Sequence, residues 1–131
     1  MKGKPRVGLT GEFQFTVGPE HVIEFTEGGM PAVLSTPWLI KQLERTAREV
    51  LLPFLEPEER SVGVEIELRH LAATPSGQRV TCLARVIHAE GTEVSFHVEA
   101  RDEHELIARG AHGRQIIRVD RFAKRVERKQ R

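Results

Sequence analysis

Only one stretch of the chain, LSTPWLIKQLERTAREVLLPFL, carries the 3.6-residue apolar period of a long helix, and everything after it reads as strand joined by short turns. Thr36 is placed as the N-cap, with Pro37 at the first helical position, where its missing N–H costs nothing. Pro53 and Pro57 close the helix or kink its end. Ahead of it, Glu12 to Val17 alternates Phe13, Phe15 and Val17 with polar residues as a first strand, ended by Gly18-Pro19; Val22 to Phe25 fits a short strand or a turn. Behind it come Ser61–Leu71, Arg79–His88, Val94–Ala100 (with Val94, Phe96 and Val98 inward) and Leu106–Val119. In the last of these, Gly110 or Gly113 is expected to mark a bulge. The connections, ATPSGQ at 73–78, Glu90-Gly91 and Arg101–Glu105, are too short for parallel crossovers, so neighbouring strands must be antiparallel. One helix cannot cover both faces of such a sheet. The expected architecture is α+β: a curved antiparallel sheet wrapped around one long central helix, a single domain over residues 1–120, with the other sheet face wet or used for association.

Composition narrows the setting. At 131 residues the chain is the size of one domain, and a net charge of +1 gives it no general affinity for polyanions. Cys82 is the only cysteine, which excludes an intramolecular disulfide and fits a reducing, cytoplasmic compartment; without a basic helix end beside it, it is expected to be buried and inert. No apolar run approaches the ~20 residues that span a bilayer, and no signal-like segment opens the sequence. The six histidines, at 21, 70, 88, 97, 104 and 112, show no HxH or HExxH spacing, so no metal site is expected.

Two ionisable groups sit where apolar ones belong. In SVGVEIELRHL, residues 61–71, Val62, Val64, Ile66 and Leu68 share one parity, and the next position on that side is His70. On the helix, Ile40, Leu43, Ala47, Leu51 and Phe54 share one side, and Lys41, Gln42, Arg45, Arg48 and Glu49 the opposite arc. Glu44 falls among the former. An unpaired carboxylate there costs several kcal/mol unless it finds a partner, a cavity or a raised pKa. Because the two apolar faces must cover each other, Glu44 and His70 point to a cavity lined by an acid and a base, with Thr36 at the helix mouth, where free N–H groups bind an anion or polarise a carbonyl. Each residue has a structural alternative: a core histidine satisfied by a carbonyl, an ion pair between Glu44 and His70 or an arginine, and a plain helix cap. Eight helical residues rise ~12 Å, so Thr36 and Glu44 cannot easily reach one substrate atom. Either a long substrate bridges them or the site is shared across a homodimer interface, the arrangement preferred here.

STPWLIKQLERTA, SVGVEIELRHLAATPSGQRVTCLARV and FHVEARDEHELIARGAHGRQII together resemble the hotdog-fold acyl-CoA thioesterases, and within them the fluoroacetyl-CoA thioesterase family. The likeness runs from Pro19 to Val119, with E-x-R-H-L-x-x-T-P its most specific part. It implies a hotdog fold, a homodimer with a continuous sheet (and scope for pairing into tetramers), and an acyl-CoA substrate with no separate cofactor. It also implies a site in which Thr36, Glu44 and His70 are catalytic and Gly63 and Arg114 lie near the acyl-CoA. Glu44 attacks the thioester or activates water, His70 shuttles the proton and Thr36 orients the acyl group. For Gly63 the structural alternative is close backbone packing or a bulge, and for Arg114 a solvated or ion-paired strand residue. Fluoroacetyl specificity does not carry over, because the loop from Thr26 to Val33 offers Met30 and no aromatic residue to close over a tiny acyl group. A non-catalytic acyl-CoA sensor on the same fold is the alternative; a hydratase lacks a recognisable Asp/His pair.

Three features stand outside this scheme. Trp38 points away from the apolar stripe and reads as an exposed contact residue. His112, near Arg114, lines a phosphate or pantetheine path or is a structural strand residue. The tail at 121–131, RFAKRVERKQR, holds six basic residues and reads first as solvated disorder, then as a contact for CoA phosphates. A nucleic-acid arm is disfavoured because no stacking aromatics interleave with the charges.

Overall fold

In the computed structural model, which describes residues 1–130, strand β1 (Thr10–Thr16) precedes helix α1 (Thr36–Leu51). Four strands follow, β2 (Glu59–His70), β3 (Arg79–Glu90), β4 (Glu93–Arg101) and β5 (Leu106–Arg118), and then a terminal helix α2 (Val119–Arg128). All neighbours are antiparallel, in the order β1-β3-β4-β5-β2, and α1 packs against all five strands. This is the expected sheet around one helix. The segment from Val22 to Phe25 contributes only an isolated bridge from Val22 to Leu34.

The helix starts differently from expectation. Ser35, not Thr36, is the N-cap: its backbone is extended, and its Oγ accepts the Trp38 N–H at 3.4 Å. Thr36 is the first helical residue, so its hydroxyl is released from capping and free to turn towards the sheet. The buried seam also lies off the expected one. Leu39, Leu43, Ala47 and Leu51 are fully buried, with Val50, Thr46 and Gln42 beside them, whereas Ile40 and Phe54 are only partly covered. The sheet curls over both flanks of the helix, so the covered arc is wider than its apolar stripe, and Gln42 is enclosed rather than solvated. Against this seam lie Val80, Cys82, Ala84 and Val86 of β3 and Val94, Phe96, Val98 and Ala100 of β4, all buried. Each large side chain so buried contributes about 1.5–3 kcal/mol. Burial pushes the Cys82 thiol up to about 12, which keeps it protonated and inert.

β2 breaks its own alternation. Gly63 is opposite Arg114 and Glu65 is opposite Gly113, so Val64 is an inserted residue in a β-bulge. The bulge lies in β2 and not, as expected, at a glycine of β5. It reverses the parity: Ser61 and Gly63 face the helix side before it, and Ile66, Leu68 and His70 face that side after it, opposite buried His112 and Ala108 and intervening Gly110. Val62 is therefore on the outer face. β2 is also an edge strand that the helix covers incompletely, which leaves Val64 62% and Ile66 37% exposed.

The basic tail is a helix rather than a disordered segment. α2 runs from Val119 to Arg128, its first amide bonded to Glu58 O, with Val119, Phe122 and Val126 on one exposed stripe. Arg131 lies outside the described residues. Trp38 is half-covered rather than exposed: it stacks on His21 (centroids 4.3 Å apart) beneath the Lys41 ammonium.

Gly110 is required by close approach, since a Cβ there would run into the Glu67 backbone carbonyl of the paired strand. Gly110→Ala should lower unfolding free energy by about 2 kcal/mol, by analogy with overpacked cores, and a urea midpoint equal to wild type would contradict the β2–β5 register.

Candidate active site

The site residues fall into two clusters along α1. At its first turn, Thr36 Oγ1 lies 2.8 Å from Nδ1 of His70, the last residue of β2. The bulge makes this contact possible, because it restores His70 to the helix side of the sheet. His70 Nε2 is buried without a hydrogen-bond partner, and burial holds the imidazole below its ordinary value of 6.5, so the ring is neutral at physiological pH. If Nδ1 accepts the Thr36 hydroxyl proton, Nε2 carries the ring proton; if Nδ1 donates, Nε2 is a bare acceptor. Pro37 has no N–H, and the Trp38 and Leu39 amides turn back to Ser35, so the helix mouth offers fewer donors than expected; Thr36 carries the remaining amide of the first four. An apolar groove of about 320 Å³ opens here, walled by Ile23, Val33, Leu34 and Leu71 beside Thr36 and His70.

The second cluster surrounds Glu44, two turns along. Its Oε2 is 3.8 Å from Arg114 Nη1 and 4.0 Å from His112 Nε2. Arg114 is buried and held firmly: Nε donates to Ser61 Oγ (2.9 Å), Nη2 to Ser61 O (2.9 Å) and Nη1 to His112 Nε2 (3.1 Å). A nitrogen that accepts from a guanidinium is unprotonated, so the His112 proton is on Nδ1, which donates to Glu65 O at 2.7 Å. Burial first, and then the neighbouring guanidinium, hold His112 below 6.5. His112 is therefore neutral, and the cation that faces Glu44 is Arg114. Gly63 lets the carboxylate in: a Cβ there would sit 2.5 Å from Glu44 Oε2 and 3.2 Å from His112 Cε1. The cleft over Glu44, about 470 Å³, is lined by Pro37, Trp38, Ile40, Arg48 and Arg114 among others.

Thr36 and His70 thus come together, as do Glu44, Gly63 and Arg114, but within one chain Glu44 and His70 line separate hollows. The helical rise that separates Thr36 from Glu44 is the reason. Ser61 and His112 complete the second cluster. His112 and Arg114, two apart on one strand, necessarily share a face, and that spacing was the available signal; nothing in the sequence marked Ser61.

A curved five-stranded antiparallel sheet around one helix, with a carboxylate on that helix and an imidazole on the edge strand, defines a protein of the hotdog-fold thioesterase class. The family model described as fluoroacetyl-CoA-specific thioesterase matches residues 17–120. The chain belongs to that family. It is 34% identical to a fluoroacetyl-CoA thioesterase of Streptantibioticus cattleyicolor, over 98% of this chain and 97% of that one. A thioesterase superfamily member of Thermus thermophilus superposes with a TM-score of 0.88 at 34% identity, covering 96% of this chain and 93% of the other. A phenylalanine-to-alanine mutant of the fluoroacetyl-CoA-specific thioesterase, solved in complex with fluoroacetate and CoA, gives a TM-score of 0.82 at 33% identity, covering 89% and 98%.

Neutral burial of His112 carries a pH signature. With the folded value below the unfolded value of about 6.5, the unfolded chain binds more protons between the two, so stability is complete above pH 6.5 and falls as pH drops through that window. In His112→Gln, the decline of the urea midpoint from pH 7 to pH 5 should be shallower than in wild type. An identical slope would mean that the ring is not held neutral.

Proposed function

We propose that the protein hydrolyses a small or medium acyl-CoA thioester to the free acid and CoA, at a site built by Thr36, Glu44 and His70 and bordered by Gly63 and Arg114. The observation that carries this reading is the Glu44 carboxylate, fixed on a rigid helix against Gly63, loosely paired to a guanidinium that three other hydrogen bonds hold in place, and open to a cleft. A carboxylate so placed is a base or nucleophile with its geometry set in advance.

In the reaction, Glu44 takes a proton from water as the water oxygen attacks the thioester carbonyl carbon, or its own oxygen attacks first and water then releases the acid. The developing oxyanion is stabilised by the Thr36 amide, while the Thr36 hydroxyl donates to Nδ1 of His70 and so keeps the ring proton on Nε2. As the C–S bond breaks, the proton that Glu44 takes from water is passed on to the CoA sulfur by way of His70, whose ring ends neutral as it began. The groove beside Thr36 holds the acyl group, and the neighbouring loop from Thr26 to Val33 carries no aromatic residue to close over a small one. CoA enters as part of the substrate, and the chemistry calls for no further cofactor.

Two copies are needed for this. β2 has an unpaired edge with exposed Val64 and Ile66, the kind of edge that a second strand covers. Antiparallel pairing of two β2 edges would set Glu44 and Gly63 of one copy towards the Thr36–His70 pair of the other, which removes the separation along α1. We place this homodimer in the cytoplasm, where Cys82 stays reduced; among the described residues no helix is long and apolar enough to cross a membrane.

A panel of acyl-CoA esters of increasing chain length, read by thiol release, tests the reading. Hydrolysis is expected, and tight binding of every ester without release would make the protein an acyl-CoA sensor instead. Glu44→Gln should lower kcat by about 10²–10⁴-fold with KM little changed; near-normal turnover removes Glu44 from the chemistry. Sedimentation should give a dimer, and a monomer at assay concentration would exclude the shared site.

A further inference from the structure

Helix α2 is left without a role by the chemistry above, yet it is the most polarised element of the chain. Arg121, Lys124, Arg125, Arg128 and Lys129 are exposed, and among the described residues none forms an ion pair. Asp120 is already neutralised by Arg118 at 3.5 Å, which leaves Glu127 as the one uncompensated acid of the helix. Between the cations runs the stripe of Val119, Phe122 and Val126, with the Phe122 ring 38% exposed. The other chain end brings more positive charge to the same place. The Met1 amine pairs with Glu59 at 2.9 Å and the Lys2 amide with Phe54 O at 2.7 Å, so Lys2 emerges near the start of β2, where α2 also begins.

We propose that α2 binds the adenosine 3′-phosphate pyrophosphate end of CoA, with its cations on the phosphates and Phe122 against the adenine ring. This rests on the thioesterase reading, and reach and charge support it. Glu44 meets β2 at Gly63, and Glu59, paired with Arg118 just before α2, lies four residues back along the strand, ~13 Å away at strand rise. A pantetheine arm has the reach of about four extended residues, ~14 Å. A thioester at Glu44 with its arm laid along β2 therefore delivers its phosphates to α2. The groove beside Thr36 and His70, which the other copy turns towards Glu44, has no lysine or arginine in its wall and suits the acyl chain instead of the phosphates. Lys41 and Arg45 are nearer Glu44 but are occupied, over the rings of Trp38 and Phe13. The nucleotide end carries a charge of about −4, which the four cations of α2, with Lys129 just past its end, match. A planar base beside an exposed aromatic ring flanked by arginines adds stacking.

The test uses the full-length protein and the triple substitution Arg121→Glu, Lys124→Glu, Arg125→Glu, with Phe122→Ala as a second, milder variant. For acetyl-CoA the triple variant should show KM raised on the order of tenfold or more with kcat unchanged, and the wild-type KM should rise with salt. For S-acetyl-N-acetylcysteamine, which lacks the nucleotide, the variant and wild type should give equal kcat/KM. An unchanged KM for acetyl-CoA, or equal losses on both substrates, overturns the assignment. Calorimetric titration with adenosine 3′,5′-bisphosphate separates it from the thioesterase reading. Wild-type binding that both variants weaken supports α2 as the nucleotide site even if no thioester is cleaved. No wild-type binding overturns it, as does a titration in which anionic phosphatidylserine vesicles or duplex DNA bind α2 and the bisphosphate does not displace them.

Discussion

One helix has to be covered by one sheet, and most of what distinguishes this molecule follows from how incompletely that can be done. Leu39, Leu43, Ala47 and Leu51 are fully enclosed, chiefly by β3 and β4 at the centre of the sheet. A cylinder ~10 Å across touches every strand of this curled five-stranded sheet but cannot cover its full width. The edge strand β2 meets α1 only in part, at Gly63 and His70, hence the exposure of Val64 and Ile66. The same packing fixes Thr36 and Glu44 on a rigid rod whose pitch keeps them apart. The fold thus presents both halves of the proposed site at the margin of its own core, beside an unpaired edge.

That geometry explains what could be read from the sequence. The helix and the antiparallel order were legible because apolar period and turn length each allow a single solution. The bulge in β2 was not, because Val62, Val64, Ile66 and Leu68 alternate without interruption even though Val64 is an inserted residue. A bulge leaves the composition of both faces plausible, and only Gly63 inside the strand pointed to it. The cap was misread by one position because Ser35 and Thr36 are both good caps and Pro37 suits either frame. In the tail, the density of charge obscured Val119, Phe122 and Val126 at helical spacing. Thr36, Glu44 and His70 were found because ionisable or hydroxyl groups at apolar or capping positions need a reason. Gly63 and Arg114 came only through family resemblance. The link from Glu65 O through His112 and Arg114 to Glu44 could not be read, since it depends on a register that the bulge resets.

The buried arginine shows how the site avoids cancelling itself. A guanidinium taken out of water is costly unless its donors are used, and Arg114 uses them on Ser61 and on neutral His112. Its need for a carboxylate is thereby reduced. Glu44 remains at 3.8 Å, too far for the short bidentate pairing that would occupy both oxygens. Had His112 been protonated, it could not accept from Arg114, and the guanidinium would turn to Glu44 and bind it outright. Neutrality of one imidazole, enforced by burial, is thus what leaves the carboxylate available. The two histidines are neutral for the same reason and serve opposite ends: His112 has both nitrogens committed and acts as a spacer, while His70 has one nitrogen on Thr36 and the other unpartnered. An unpartnered ring nitrogen inside a protein is costly to maintain, and its only compensation is a group that arrives from outside. In the proposed reaction, acid–base work would be divided between a carboxylate left open to its cleft and an imidazole kept neutral by desolvation, a division that suits proton removal at one and proton delivery at the other.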